Sequence, residues 1–261
     1  TVSEGAGLTD LASLKAAAEA IDPLAEAAKS EGAWSVYLEA LEAENGPAEE
    51  QAHALNRIGD SRYYQQDIAG ALASSLEAEK RLIAAGATDG EAMAGTLANI
   101  ATFYTGVGQP EKNVPLQERS LKIRTGLYGQ DPEGIAPADA KALGLGYLNY
   151  AAALYEANRF GDAAEYVDPA IKGLIRGGMT DTTLFVALST GANIYIDAGR
   201  QVDALRLARQ GIAMANELLP EEHPFHGFAQ GTLAKVLLQA GRYEEAEQPA
   251  RTALDIMTER L

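Results

Sequence analysis

One pattern returns along the chain: a helix ends in a small residue and a turn, and a few residues later an alanine sits in the next helix. It reads AGRYEEA ending at Ala246, AGRQVDA ending at Ala204 and ANRFGDA ending at Ala163, with fainter copies VGQPEKN ending at Asn113 and QQDIAGA ending at Ala71. The successive spacings are 42, 50, 41 and 42 residues. Self-similarity at such a period marks a helical array, in which each unit buries its apolar face only by stacking on a neighbour. Four to eight residues before the turn position stand apolar residues on one helical face: Ile100, Ala101 and Tyr104; Tyr150, Ala151 and Leu154; Ala192 and Tyr195; Leu233, Ala234 and Leu237. Small residues beside large ones let two helices approach closely.

Ala240, Gly241, Tyr243 and Ala246, and Ala157, Phe160 and Ala163, resemble the small-Gly-x-aromatic-x-x-Ala core of the tetratricopeptide repeat family. The resemblance is to the variant with a period near 42 found in kinesin light chains and many bacterial repeat proteins. Asn158 stands where the turn glycine belongs, and Asn enters left-handed backbone geometry more readily than most residues. The segments LYGQDPEG at 127–134 and LLPEEHPF at 218–225 resemble that variant's connector. The resemblance spans about residues 50–261. It implies an all-α fold, a right-handed superhelical solenoid of antiparallel hairpins with about five repeats. A degenerate N-terminal hairpin at 1–50 precedes the array at 51–261.

Composition narrows the function. A formal charge of −16 argues against nucleic acid and anionic membranes, and zero Cys removes disulfides and thiolate metal sites. No apolar run reaches 18 residues, so no spanning helix is expected. The first 50 residues hold eleven acidic side chains against Lys15 and Lys29, a net of −9. Leu11, Leu14, Ala18, Ile21, Leu24 and Ala25 nevertheless recur at helical spacing behind a Thr9-Asp10 cap, and Trp34, Tyr37, Leu38 and Leu41 form a second stripe ended by Gly46-Pro47. A capping hairpin is the expectation, with an acidic interaction arm as its alternative. The compartment stays open between cytoplasm and periplasm. A chain starting at Thr1 is expected to have lost a leader or to be cut from something longer.

The step of 50 residues places eight extra residues in Leu127 to Ala140, read as a longer inter-hairpin loop or a lid over the groove. At the other end, Leu254, Ile256, Met257 and Leu261 lack a following helix in the sequence. The expectation is that the native chain continues or that two chains pack end to end.

In this family the first helix of each hairpin lines a concave groove. The positions matching it are Asn56, Asp60, Tyr63 and Tyr64 in the first repeat, Asn99 and Thr102 in the second, and Asn149 and Tyr155, beside Leu145 and Ala152, in the third. Asn193 and Asp197 follow, with Ser189 and Ile196, then Lys235 with Gly231, Leu238 and Gln239. Asn amides both donate and accept, which suits a peptide backbone, and the resemblance to kinesin light chain gives Asn99 and Asn149 that role. The alternative is that they only solvate a broad surface. The cationic clamp with which other family members hold a C-terminal carboxylate is missing, and Asp60 disfavours a ligand carboxylate. A basic or aromatic peptide fits better, against Tyr63, Tyr64 and Tyr155.

Catalytic, cofactor and metal sites are not expected. His223 and His226 stand three apart near Glu221 and Glu222, but Pro224 between them breaks a regular metal-binding face, and His223 reads as a connector residue. No phosphate-binding glycine loop is present. The expectation is a peptide or protein scaffold. Its alternatives are a recognition module of a larger bacterial enzyme or signalling protein, and a groove with small-molecule or enzymatic chemistry.

Overall fold

The protein, seen in a computed structural model, is described for residues 10–220 and 223–258. Its described residues form helices without strands. They are α1 (Leu11–Glu19), α2 (Ala27–Ala43), α3 (Ala48–Tyr64), α4 (Ile68–Ala84), α5 (Glu91–Gly106), α6 (Asn113–Tyr128) and α7 (Pro137–Glu156). There follow α8 (Phe160–Ala164), α9 (Val167–Arg176), α10 (Thr182–Asp197), α11 (Gln201–Leu218), α12 (Phe225–Gln239) and α13 (Tyr243–Thr258). The fold is an all-α solenoid of helix hairpins. Leu261, Glu221, Glu222 and Thr9 lie outside the described residues.

The recurring turn has one backbone conformation. Gln66, Gly108, Asn158, Gly199 and Gly241 each stand five residues before the signature position and have φ of 66°, 78°, 59°, 78° and 73°. At each, the next residue's N–H reaches back to the carbonyl five residues earlier, as Arg200 does to Tyr195 at 2.7 Å and Arg242 to Leu237 at 2.9 Å. This left-handed cap satisfies carbonyls that the helix end would leave unpaired. The alanines that follow, Ala71, Ala163, Ala204 and Ala246, are at most 1% exposed, because each lies where the second helix crosses the first. Small size there sets the interhelical distance.

The chain divides into two compact units, one running to Ile123 and the other from Arg124. In the first, Asp10 caps α1 by accepting from the Ala12 N–H at 3.3 Å. Trp34, Tyr37 and Leu41 of α2 pack with Ala54 and Ile58 of α3, so the acidic N-terminal segment is fastened by apolar burial to the helix that follows. Its acids are engaged as well: Glu50 with Lys15 at 2.9 Å, Glu31 with Arg62 at 2.8 Å and Glu42 with Arg81 at 2.6 Å. α3 begins at Ala48 and runs through residues 50 and 51. Pro110 opens a 3-10 turn, Pro110–Lys112, ahead of α6.

In the second unit the extra residues of the long spacing are shared between a connector and a longer helix, α7, which starts at Pro137 and has 20 residues. The connector is pinned by Tyr147, whose hydroxyl donates to the Gln130 carbonyl at 2.8 Å, and by a 3.3 Å ion pair between Lys172 and Glu133. The second helix of this hairpin is split into α8 and α9. α9 lies very close to α7: a Cβ at Gly144 would meet the Leu174 nitrogen at 2.7 Å, and one at Gly173 would meet the Ala140 carbonyl oxygen at 2.7 Å. At the chain's other end Leu254 and Met257 are 61% and 40% exposed.

Candidate functional site

In the first unit the sequence-selected residues of α3 and α5 are tied to one another. Asn56 donates to Thr96 Oγ1 at 2.7 Å and accepts from Ser75 Oγ at 3.0 Å, which joins α3, α4 and α5. Asn99 donates to Asp60 Oδ1 at 3.1 Å, and Arg57 pairs with Asp60 Oδ2 at 2.9 Å. Burial raises the Asp60 carboxyl to about 6, against the opposing pull of Arg57 and Asn99. Tyr63 leans on Phe103 at 5.6 Å and meets Tyr64 edge to face at 5.9 Å, and both tyrosines keep more than a third of their surface exposed. Thr102 is exposed and donates to the Ala98 carbonyl of its own helix.

The second unit carries a ladder across three successive first helices. The Tyr155 hydroxyl on α7 donates to Asp197 Oδ2 on α10 at 2.6 Å, and Gln239 on α12 donates to Asp197 Oδ1 at 3.0 Å. Lys235 stands 3.5 Å from both Asp197 Oδ2 and the Tyr155 hydroxyl. Burial pushes the Asp197 carboxyl up, but the bonds from Tyr155 and Gln239 and the charge of Lys235 outweigh it and hold it below the usual range. The same burial, with the bond to Asp197, raises Tyr155 to about 12. Further back along the same helices, Asn149 is half-buried, and its side chain makes no hydrogen bond among the described residues. Asn193 donates to the Ser189 carbonyl at 3.0 Å, and its buried Oδ1 has no partner among the described residues. Asn149 and Asn193 therefore offer hydrogen-bonding groups that the fold has not used.

Arg57, Thr96 and Ser75 complete these networks and escaped the sequence reading, since nothing in their local pattern marks them. A signal for the ladder does exist: Tyr155, Asp197 and Gln239 are each 42 residues apart, one repeat step. Among the described residues no cluster of three or more His, Asp or Glu side chains is placed to hold a metal ion. His223 accepts from the Phe225 N–H at 3.3 Å, and the His226 Nε2 lies 3.0 Å from the Pro220 carbonyl oxygen. Among those residues no helix is long and apolar enough to cross a membrane.

Comparison with known proteins agrees with this geometry. Models of the tetratricopeptide repeat match residues 93–133 and 183–259. No curated protein matches the chain in sequence. Among solved structures, the Podosopora anserina protein of nearly identical TPR-like, kinesin-light-chain-type repeats aligns with 82% of this chain and 99% of its own, at 15% identity and a TM-score of 0.67. BtubC (BKLC) from P. vanneervenii aligns over 96% of this chain and 92% of its own, at 17% identity and a TM-score of 0.63. A Rap protein complexed with competence and sporulation factor aligns over 98% and 77%, at 15% identity and a TM-score of 0.67. At such identities the shared property is the fold. With its turns in one left-handed conformation and two stretches matched by repeat models, the chain carries tetratricopeptide repeats at residues 93–133 and 183–259.

Proposed function

We propose that this chain is a non-catalytic scaffold for protein partners, which takes an extended segment along the exposed stripe of its first helices. The observation that carries the reading is the second unit's stripe. There a hydrogen-bonded ladder, Tyr155, Asp197 and Gln239, stands beside the unengaged amide of Asn149 and the unpartnered Oδ1 of Asn193. Fixed polar groups with spare donors and acceptors recognise a backbone, and the ladder prevents their supporting helices from splaying. The Rap structure, similar in fold, holds a partner named competence and sporulation factor.

The preferred segment carries basic or aromatic side chains. The chain's formal charge of −16 draws a basic segment, Asp197 and Asp60 place carboxylates on the two stripes that are shared with Lys235 and Arg57, and Tyr63 and Tyr64 offer exposed ring area. Selection of a displayed random-peptide library on the immobilised chain tests this. Enrichment of Lys, Arg and aromatic residues, with binding that weakens as salt rises from 50 to about 500 mM, is the expected result. Enrichment of acidic peptides, or affinity indifferent to salt, contradicts it.

A further inference from the structure

Two steps of the first unit's backbone can react with their own side chains: Asn45-Gly46 is the sole Asn-Gly pair in the chain and Asp89-Gly90 the sole Asp-Gly pair. In each, the side-chain carbonyl carbon lies within reach of the next residue's nitrogen, and glycine, lacking a Cβ, leaves that nitrogen unshielded. Attack closes a five-membered succinimide ring. The nitrogen must give up its proton to attack, so an N–H already held in a hydrogen bond reacts only after that bond is lost.

The fold treats the two pairs differently. Asn45 ends α2 in a left-handed turn with φ of 51°, and the Gly46 N–H donates to the Leu41 carbonyl at 2.7 Å, the same bond that closes the recurring turns. A Cβ at Gly46 would stand 2.7 Å from Leu41 Cδ2, so this residue is packed against the helix end. Gly90 is extended, with φ of −98° and ψ of 170°, immediately before α5. A Cβ there meets nothing within 4 Å, and the Gly90 N–H makes no hydrogen bond among the described residues. Asp89 is exposed, and its Oδ2 accepts from Thr88 Oγ1 at a long 3.4 Å. The Gly90 carbonyl is engaged, accepting from the Ala94 N–H at 3.1 Å, while the nitrogen is not.

We propose that Asp89-Gly90 is a site of spontaneous aspartate isomerisation in the folded protein, whereas the intrinsically faster Asn45-Gly46 pair is protected by its turn. The Gly90 nitrogen bonds to the Asp89 side-chain carbonyl carbon, and its proton leaves with the carboxyl hydroxyl as water. Water then reopens the ring. Opening at the side-chain carbonyl restores aspartate, and opening at the main-chain carbonyl gives isoaspartate, so the composition is unchanged. In isoaspartate the main chain runs through the side-chain carbons and is one methylene longer. That methylene enters directly ahead of α5, the helix that holds Thr96 and Asn99 against Asn56 and Asp60. At Asn45 the same closure would expel ammonia and leave an acid in place of the amide.

The test is peptide mapping of the full chain after incubation in mildly acidic buffer for Asp89 and neutral buffer for Asn45, beside a sample unfolded in guanidinium chloride. The isomerised peptide keeps its mass, shifts in retention and resists an Asp-specific endoprotease at residue 89. Deamidation at Asn45 is read as the mass gain of an amide turned acid. Isomerisation at Asp89 is expected in the folded chain at a rate within about threefold of that in the unfolded one. Deamidation at Asn45 is expected to be at least tenfold slower in the folded chain. Gly90→Ala places its Cβ in open space at an ordinary φ, keeps the fold and is expected to slow isomerisation by at least tenfold. Asp89→Glu, which would need a six-membered ring, should abolish it. Isomerisation slowed more than about threefold by folding, or undiminished in Gly90→Ala, overturns the proposal. So does deamidation of Asn45 at equal rates in both states, since the Gly46 bond would then not govern reactivity.

Discussion

Tyr155 and Asp197, 42 residues apart, are joined by a hydrogen bond of 2.6 Å between the last turn of α7 and the last residue of α10. A carboxylate at the end of a helix faces the negative pole of the helix dipole and is destabilising unless compensated. Here Tyr155 compensates from the preceding repeat, and Gln239 and Lys235 from the following one. Tyr155→Phe removes one bond to a charged acceptor without changing the ring. The expected cost is about 1–2 kcal/mol in urea unfolding, with a rise in the Asp197 pKa visible by carboxyl NMR. An unchanged Asp197 titration would show that the ladder does not set its ionisation.

Asp60 makes the first unit less stable at neutral pH than in mild acid. Its folded pKa, raised to about 6 chiefly by burial, exceeds the ordinary 3.8, so the native state binds the proton more tightly than the unfolded chain. The stability this contributes is complete below about pH 4 and is lost as pH rises through about 6. The upper limit is about 3 kcal/mol, reduced by solvent because the side chain is 26% exposed. Asp60→Asn keeps an acceptor for Arg57 and cannot ionise. Relative to the unaltered chain, it should gain stability between pH 4 and 7 and show no gain below pH 4. A constant difference across that range contradicts the assignment.

Gln66 occupies the turn position that Gly108, Gly199 and Gly241 fill elsewhere, with φ of 66°. An L-residue there is strained by about 1–2 kcal/mol, which glycine avoids at some entropic cost. Gln66→Gly is therefore expected to raise stability by about 0.5–1 kcal/mol in thermal or urea unfolding. A loss of stability would mean that the Gln66 side chain holds the turn.

The Gly144–Gly173 contact admits no side chain, because backbone atoms rather than flexible side-chain ends stand 2.7 Å from either Cβ position. Gly173→Ala is expected to destabilise the second unit by more than about 2 kcal/mol, measured as a shift of the urea midpoint. Gly161→Ala, where the added Cβ meets nothing within 4 Å, serves as the neutral control.

These residues also show what the sequence could convey. Turn position and period were legible, because a helix that ends in left-handed geometry favours Gly or Asn, as Asn158 with φ of 59° shows, whereas Gln66 carries no such signal. Burial of Tyr195, Ala192 and Leu154 followed from their phase on the first helices. The stripe residues were legible as a surface but not in their bonds. Which of Arg57 or Asn99 reaches Asp60 depends on the offset between neighbouring helices, and that offset is set by packing at distant small residues. The close approach of α7 and α9 was not legible at all. It rests on two glycines, Gly144 and Gly173, whose importance appears only when the two helices are brought together.

The most direct test of the scaffold reading is the Kd of a library-selected basic peptide for the unaltered chain and for an Asn149→Ala, Asp197→Asn double variant, which keeps the side-chain size at position 197. The account predicts at least tenfold weaker binding to the double variant and the loss of most of the salt dependence. Equal affinity for both proteins, with the same salt dependence, would contradict it and move recognition away from the first-helix stripe.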